Sequence, residues 1–171
     1  MHNQSIQKEH VCQQFGVTSV PKRVQVRTSP ASKTLRKDFN FVSQGIILAE
    51  RSQCRIGCNM PMFLEQLRKS ETIIRGAAKV IDALIVTHDV SQDDLQFLFD
   101  CVIQIPSPIM MRYLDLILEA DRVLSLLLIL LAYNHIDSDG KIKYYGEVRR
   151  ALIAIKIAAQ GIEPFTSKKE K

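Results

Sequence analysis

The residues best placed to do chemistry are Arg23, Gln25 and Arg27, which occupy every second position with Val24 and Val26 between them. Successive side chains of an extended strand point to opposite faces, so this spacing puts the polar trio on one face and the valines on the other. A guanidinium can grip O6 and N7 of guanine through two hydrogen bonds, and a carboxamide can do the same with N6 and N7 of adenine. An Arg-Gln-Arg stripe therefore has the chemistry of a reader of base edges in a DNA major groove. Ser29 and Pro30 follow directly, a helix cap and a first helical residue whose backbone angle is already set. Residues 22 to 28 read as a strand of a ribbon that runs straight into a helix.

Other elements must hold such a strand in place. A short strand is not stable alone, so the valine face has to be buried. The expected arrangement is an antiparallel ribbon made of one strand from each subunit of a homodimer, with Val24 and Val26 of both chains as its core. Thr28, Ser29 and the amides at the helix start would hold a phosphate of double-stranded DNA. Lys22, Lys33, Arg36 and Lys37 would add salt-dependent affinity carrying no sequence information.

Apolar periodicity places the first helix over residues 30 to 52, with Ala31, Leu35, Phe39, Val42, Ile46 and Ala49 as its stripe. Gly57 and Asn59 punctuate the chain before a second helix over 61 to 88. Between 93 and 105, apolar Leu95, Phe97, Phe99, Cys101, Ile103 and Ile105 alternate with residues that include Gln96, Asp100 and Gln104, the pattern of a second strand. A helical start at Ser91, with Asp94 completing a capping box, competes with it. Two further helices are expected over 107 to 134 and 138 to 160. The fold class is mainly α, as a single domain over 21 to 165 between a flexible arm (1 to 20) and a disordered basic tail (166 to 171).

Charge is unevenly distributed. The chain carries a net +5, yet residues 1 to 60 sum to +6, residues 61 to 140 to −6 and residues 141 to 171 to +5. Between Lys22 and Lys37 there are six basic side chains and no acidic one, so a polyanionic partner is expected for the first part of the chain. The apolar run Leu126 to Tyr133 lies downstream of Asp115, Glu119, Asp121 and Arg122, too many charges for a membrane span. Nothing reads as a signal peptide, and four scattered cysteines fit reduced thiols, so a cytoplasmic location is expected.

Other constellations carry little chemistry. Asp137 and Asp139 before Gly140 suggest a calcium loop, but His135 and Gly146 stand where its first and last ligands belong, leaving a helix-helix turn. Cys54 and Cys58 with His10 and Cys12 lack the spacing of a zinc site, so ordinary thiols are expected. Asp121 lies on the apolar stripe of its helix, where an ion pair with Lys156 is the expected role. No phosphate loop, nucleophile elbow or paired acidic motif appears, so no enzyme activity, metal or cofactor is expected.

Arg23-Val-Gln-Val-Arg-Thr-Ser-Pro-Ala-Ser-Lys-Thr-Leu-Arg, with Phe39-Asn-Phe-Val and Ile46-Ile-Leu-Ala-Glu50, resembles the AcaB family of regulators, as do Gln104-Ile-Pro-Ser-Pro-Ile, Tyr113-Leu and Asp121-Arg. The resemblance spans roughly residues 22 to 160. It implies a ribbon-helix-helix type of core enlarged by extra helices, a homodimer, and activation of conjugative transfer genes on plasmids and integrative elements. The reading strand of such a fold falls on Arg23, Gln25 and Arg27, and the start of its second helix near Asn59, a further phosphate contact. The first helix is about twice as long as a minimal unit of that kind requires. The combined expectation is a sequence-specific DNA-binding regulator, with RNA polymerase a candidate further partner of an activator. The rivals are a DNA-binding accessory protein of the transfer apparatus and a helical module that docks an acidic protein.

Overall fold

Three helix starts follow from side chains that accept a hydrogen bond from the first turn. Asn59 accepts from the Met62 amide at 3.2 Å, Ser107 from the Met110 amide at 3.4 Å, and Asp137 from the Gly140 amide at 2.7 Å. Pro61 and Pro108 stand in the first turns of two of them, where no amide donor is missed. Asp137 is thus a helix cap. A side chain at Gly140 would come within 2.9 Å of its carboxylate.

A computed structural model describes residues 11–51, 59–90 and 96–161. The elements in chain order are α1 (Val11–Gln14), β1 (Val20–Val26), α2 (Ser29–Lys33), a π-helical turn (Thr34–Asp38), α3 (Phe39–Glu50), α4 (Met60–His88), β2 (Phe99–Ile105), α5 (Pro108–Ala132) and α6 (Ser138–Ala159). The mainly helical class and the four long helices agree with the sequence patterns to within a residue or two. Residues 1–10, 52–58 and 166–171 lie outside the described residues, and with them His10, Cys54, Cys58 and the basic tail. Within the stretch expected to be a flexible arm, α1 packs against α3 and buries Cys12.

The first helix is continuous from Ser29 to Glu50 but widens at Thr34–Asp38, where the Phe39 amide reaches back five residues to the Thr34 carbonyl. The successive four-residue steps Ala31, Leu35, Phe39 are what such a wide turn keeps on one face. All three are buried, as are Val42 and Ile46 beyond them.

α5 is the central element. It packs against α4, α6, α2 and β2, and Leu114, Leu116, Ile117, Val123, Leu124, Leu126 and Leu127 are buried around most of its circumference. Ion pairs fasten its rim to α4: Arg112 to Glu71 at 2.6 Å and Arg122 to Asp82 at 2.7 Å. Among the described residues no helix is long and apolar enough to cross a membrane.

The ribbon is built differently from the sequence expectation. β1 pairs antiparallel with β2 of the same chain, in the register Val20↔Ile105, Val24↔Cys101, Val26↔Phe99. The expectation of one strand from each subunit is corrected accordingly, because the second candidate strand supplies the backbone partner. Val24 and Val26 are buried in the chain's own core, together with Ile103 and Ile105, rather than in a core shared between subunits. β1 also begins two residues earlier than predicted and ends at Val26.

Asp121 holds the join between ribbon and helix. It is 3 % exposed, and its carboxylate accepts from the Arg27 amide at 2.9 Å, the Thr28 amide at 2.7 Å and the Thr28 hydroxyl at 2.7 Å. The expected ion pair with Lys156 does not form. Lys156 instead pairs with Asp38 at 2.7 Å, tying α6 to the π-helical turn. Replacing Asp121 by alanine would strand two amides and a hydroxyl in the interior. We expect D121A to lower the unfolding free energy by roughly 3 kcal/mol, and D121N, which keeps one acceptor, to cost less. Urea titration followed by circular dichroism measures both; equal stability of D121A and the parent chain would refute this role.

Candidate nucleic-acid interface

Strand alternation and register together define the outer face of the ribbon. β1 contributes Pro21, Arg23 and Gln25; β2 contributes Asp100, Val102 and Gln104, with Arg23 opposite Val102 and Gln25 opposite Asp100. Two of the three predicted base-reading residues, Arg23 and Gln25, meet there on one carboxylate. Arg23 donates from Nε to Asp100 Oδ1 at 3.0 Å and from Nη2 to Oδ2 at 2.6 Å, while Gln25 Nε2 donates to Oδ2 at 3.0 Å. Val102 is exposed, and Gln104 accepts from the Ser19 hydroxyl at 3.0 Å.

Arg27, the third member of the stripe, leaves this face because β1 ends one residue before it. Its amide goes to Asp121, its guanidinium carbon lies 4.4 Å from the centre of the Phe97 ring, and its Nε is buried with no hydrogen-bond partner among the described residues. A cation over an aromatic face is held by the ring's quadrupole, so Arg27 is a packed side chain at the ribbon's end rather than a free third reader.

The predicted phosphate contacts also divide. Thr28 is withdrawn from the surface: it is 4 % exposed and has given both its amide and its hydroxyl to Asp121. Thr28, in extended backbone conformation, also takes the cap position that the sequence had given to Ser29. Lys22 lies on the valine side of the strand, where its Nζ is 3.5 Å from Asp115. Ser29, Lys33, Arg36 and Lys37 are exposed, with Arg36 leaning on the Phe99 ring at 5.6 Å. Asn59 is exposed too, with its side-chain oxygen committed to capping α4.

A second basic feature lies beside the helix that follows the ribbon. Lys33 and Lys37 line a cleft of about 560 Å³ together with Arg149 and Lys156 of α6, over Phe41, Leu152 and Ile153. Its carboxylate, Asp38, is already paired with Lys156. Arg149 was not singled out from the sequence, although the basic segment 141 to 171 was its signal. Asp100 was missed as well; its place in the alternation of β2 was visible, but not which strand it would face.

Hydrogen bonds from Arg23, then from Gln25, hold the Asp100 carboxyl down at about 2 against an ordinary 3.8. A depressed carboxyl stabilises the fold above its ordinary range, and the contribution disappears as pH falls toward the folded value. Carbon-detected NMR titration should therefore find Asp100 titrating near pH 2 in the parent chain and clearly higher in R23A. The same titration point in both would mean that the pairing does not form in solution.

The fold is AcaB-like. The crystal structure of AcaB from uropathogenic E. coli superposes with a TM-score of 0.68 at 15% sequence identity, covering 82% of this chain and 76% of that one. No protein-family model matches the chain, and no curated protein matches it in sequence.

Proposed function

We propose that the protein is a non-enzymatic, sequence-specific DNA-binding regulator that lays the outer face of its β1-β2 ribbon in the major groove. The observation that carries this reading is the pairing of two base-reading side chains, Arg23 and Gln25, on one exposed face of a two-stranded ribbon. A major groove admits a two-stranded ribbon, and the side chains on this face cover several of its demands: Arg23 for guanine, Gln25 and Gln104 for adenine, Val102 for a thymine methyl. Ser29, Lys33, Arg36 and Lys37 follow directly on the helix that leaves the ribbon, placed to contact the backbone beside the groove.

β1, the helix over Ser29–Glu50 and α4 succeed one another in ribbon-helix-helix order, which supports a core of that kind enlarged by α5 and α6. We propose a homodimer in which each chain brings its own complete ribbon. Among the described residues each strand of the two-stranded sheet has one edge without a backbone partner, and such an edge favours pairing with a second copy. Light scattering at micromolar concentration tests this; a monomer would refute it. Activation of conjugative transfer genes rests on the sequence resemblance, and a polymerase-dependent reporter distinguishes it from an accessory role in transfer.

Reading and positioning residues should respond differently to substitution. On a duplex selected from a random pool, R23A and Q25A are expected to weaken binding about tenfold to a hundredfold, with little loss on scrambled DNA. K33A and K37A should weaken both duplexes alike and flatten the salt dependence by about one unit per lost phosphate contact. Anisotropy titrations at several salt concentrations decide this. Uniform losses from all four substitutions would make the ribbon an electrostatic anchor, and no duplex binding at all would favour docking on an acidic protein.

A further inference from the structure

The basic stripe carries one group that works against a purely electrostatic role. Asp100 places a carboxylate in the middle of the face that would meet DNA, where it repels phosphate. Stability alone is a weak reason for its presence. The pair it makes with Arg23 is open to solvent, with side-chain exposures of 71% for the arginine and 36% for the aspartate, and exposed pairs of this kind contribute little to folding.

The geometry of the contact suggests another use. Asp100 grips the side edge of the guanidinium, through Nε and one hydrogen of Nη2. A guanidinium has five N–H donors. The end-on edge, one hydrogen of Nη1 and the second of Nη2, has no protein partner among the described residues. That edge is the fork that matches O6 and N7 of guanine. The same Oδ2 atom holds the Gln25 carboxamide nitrogen, leaving the amide oxygen and one hydrogen available for adenine.

We infer that Asp100 is a positioning residue that pre-assembles Arg23 and Gln25 into a single rigid base reader while discouraging contact with phosphate alone. This inference rests on the DNA-binding reading and gives it a source of specificity. Long side chains held in their bound conformation lose less freedom on binding, so the cognate site gains. A nearby negative charge weakens attraction to any polyanion, so random DNA loses. The two effects act in opposite directions on the two kinds of duplex, and no simple structural role does that.

The test measures parent, D100A and D100N on the selected duplex and on a scrambled duplex of equal length, with thermal melting to verify folding. Removing Asp100 should weaken cognate binding by about threefold to tenfold, the freedom of one or two long side chains, and strengthen binding to scrambled DNA. D100N, an isosteric replacement without the charge, should also gain on scrambled DNA and lose less on the cognate site. In an R23A/Q25A background, D100A should leave the residual cognate-to-scrambled ratio unchanged, since no reader remains to be positioned. A parent chain with a clear cognate preference that D100A retains in full would overturn this inference alone. A parent chain that binds neither duplex would overturn the DNA-binding reading and the inference with it.

Discussion

A buried carboxylate that pairs with no cation among the described residues organises the molecule. Asp121 projects from the central helix α5 into the point where β1 ends and α2 begins, and it takes the amides of Arg27 and Thr28 and the Thr28 hydroxyl. An ionised group in the interior is tolerable only when hydrogen bonds replace its water. Here those bonds come from backbone that would otherwise be unsatisfied at a strand end and a helix start. One interaction thus stops the strand, starts the helix and fixes both against the core. It also divides the basic stripe: Arg23 and Gln25 stay on the ribbon's outer face, and Arg27 falls beyond the strand.

The ribbon's construction follows from its register. Because β2 is supplied by the same chain, the outer face of the ribbon is complete within that chain and includes side chains from both strands. Asp100, Val102 and Gln104 become neighbours of Arg23 and Gln25 through register alone, across a sequence separation that includes all of α4. The apolar undersides of both strands, Val24, Val26, Ile103 and Ile105, are buried in the chain's common core, so the outer face is carried on a rigid base.

Much of this was legible in the sequence. Helix 61–88 declared itself through periodicity and the cap at Asn59, helix 138–160 through the turn at Asp137 to Gly140. The alternation at Arg23 to Arg27 marked the first strand, while that of Phe99 to Ile105 pointed to a second strand against a competing helical start at Ser91. What local pattern could not supply was pairing. Period-2 alternation says which residues share a face but not which strand lies alongside, so an intersubunit partner was expected where an intrachain one exists. Asp121 was noticed as an anomaly on an apolar stripe, but its partners are backbone amides, which leave no trace in residue types. The π-helical turn at Thr34–Asp38 left only the faint signal of two consecutive four-residue steps.

The decisive measurement is an NMR titration of the labelled protein with a duplex selected from a random pool, following the side-chain Nε–Hε signal of Arg23 and the carboxamide signals of Gln25. If the outer face of the ribbon enters the major groove, those side-chain signals shift strongly on the selected duplex and only weakly on a scrambled one. Large shifts confined to Lys33, Lys37 and Arg149, with Arg23 and Gln25 unmoved on both duplexes, would contradict base reading by the ribbon and place the nucleic acid in the basic cleft instead.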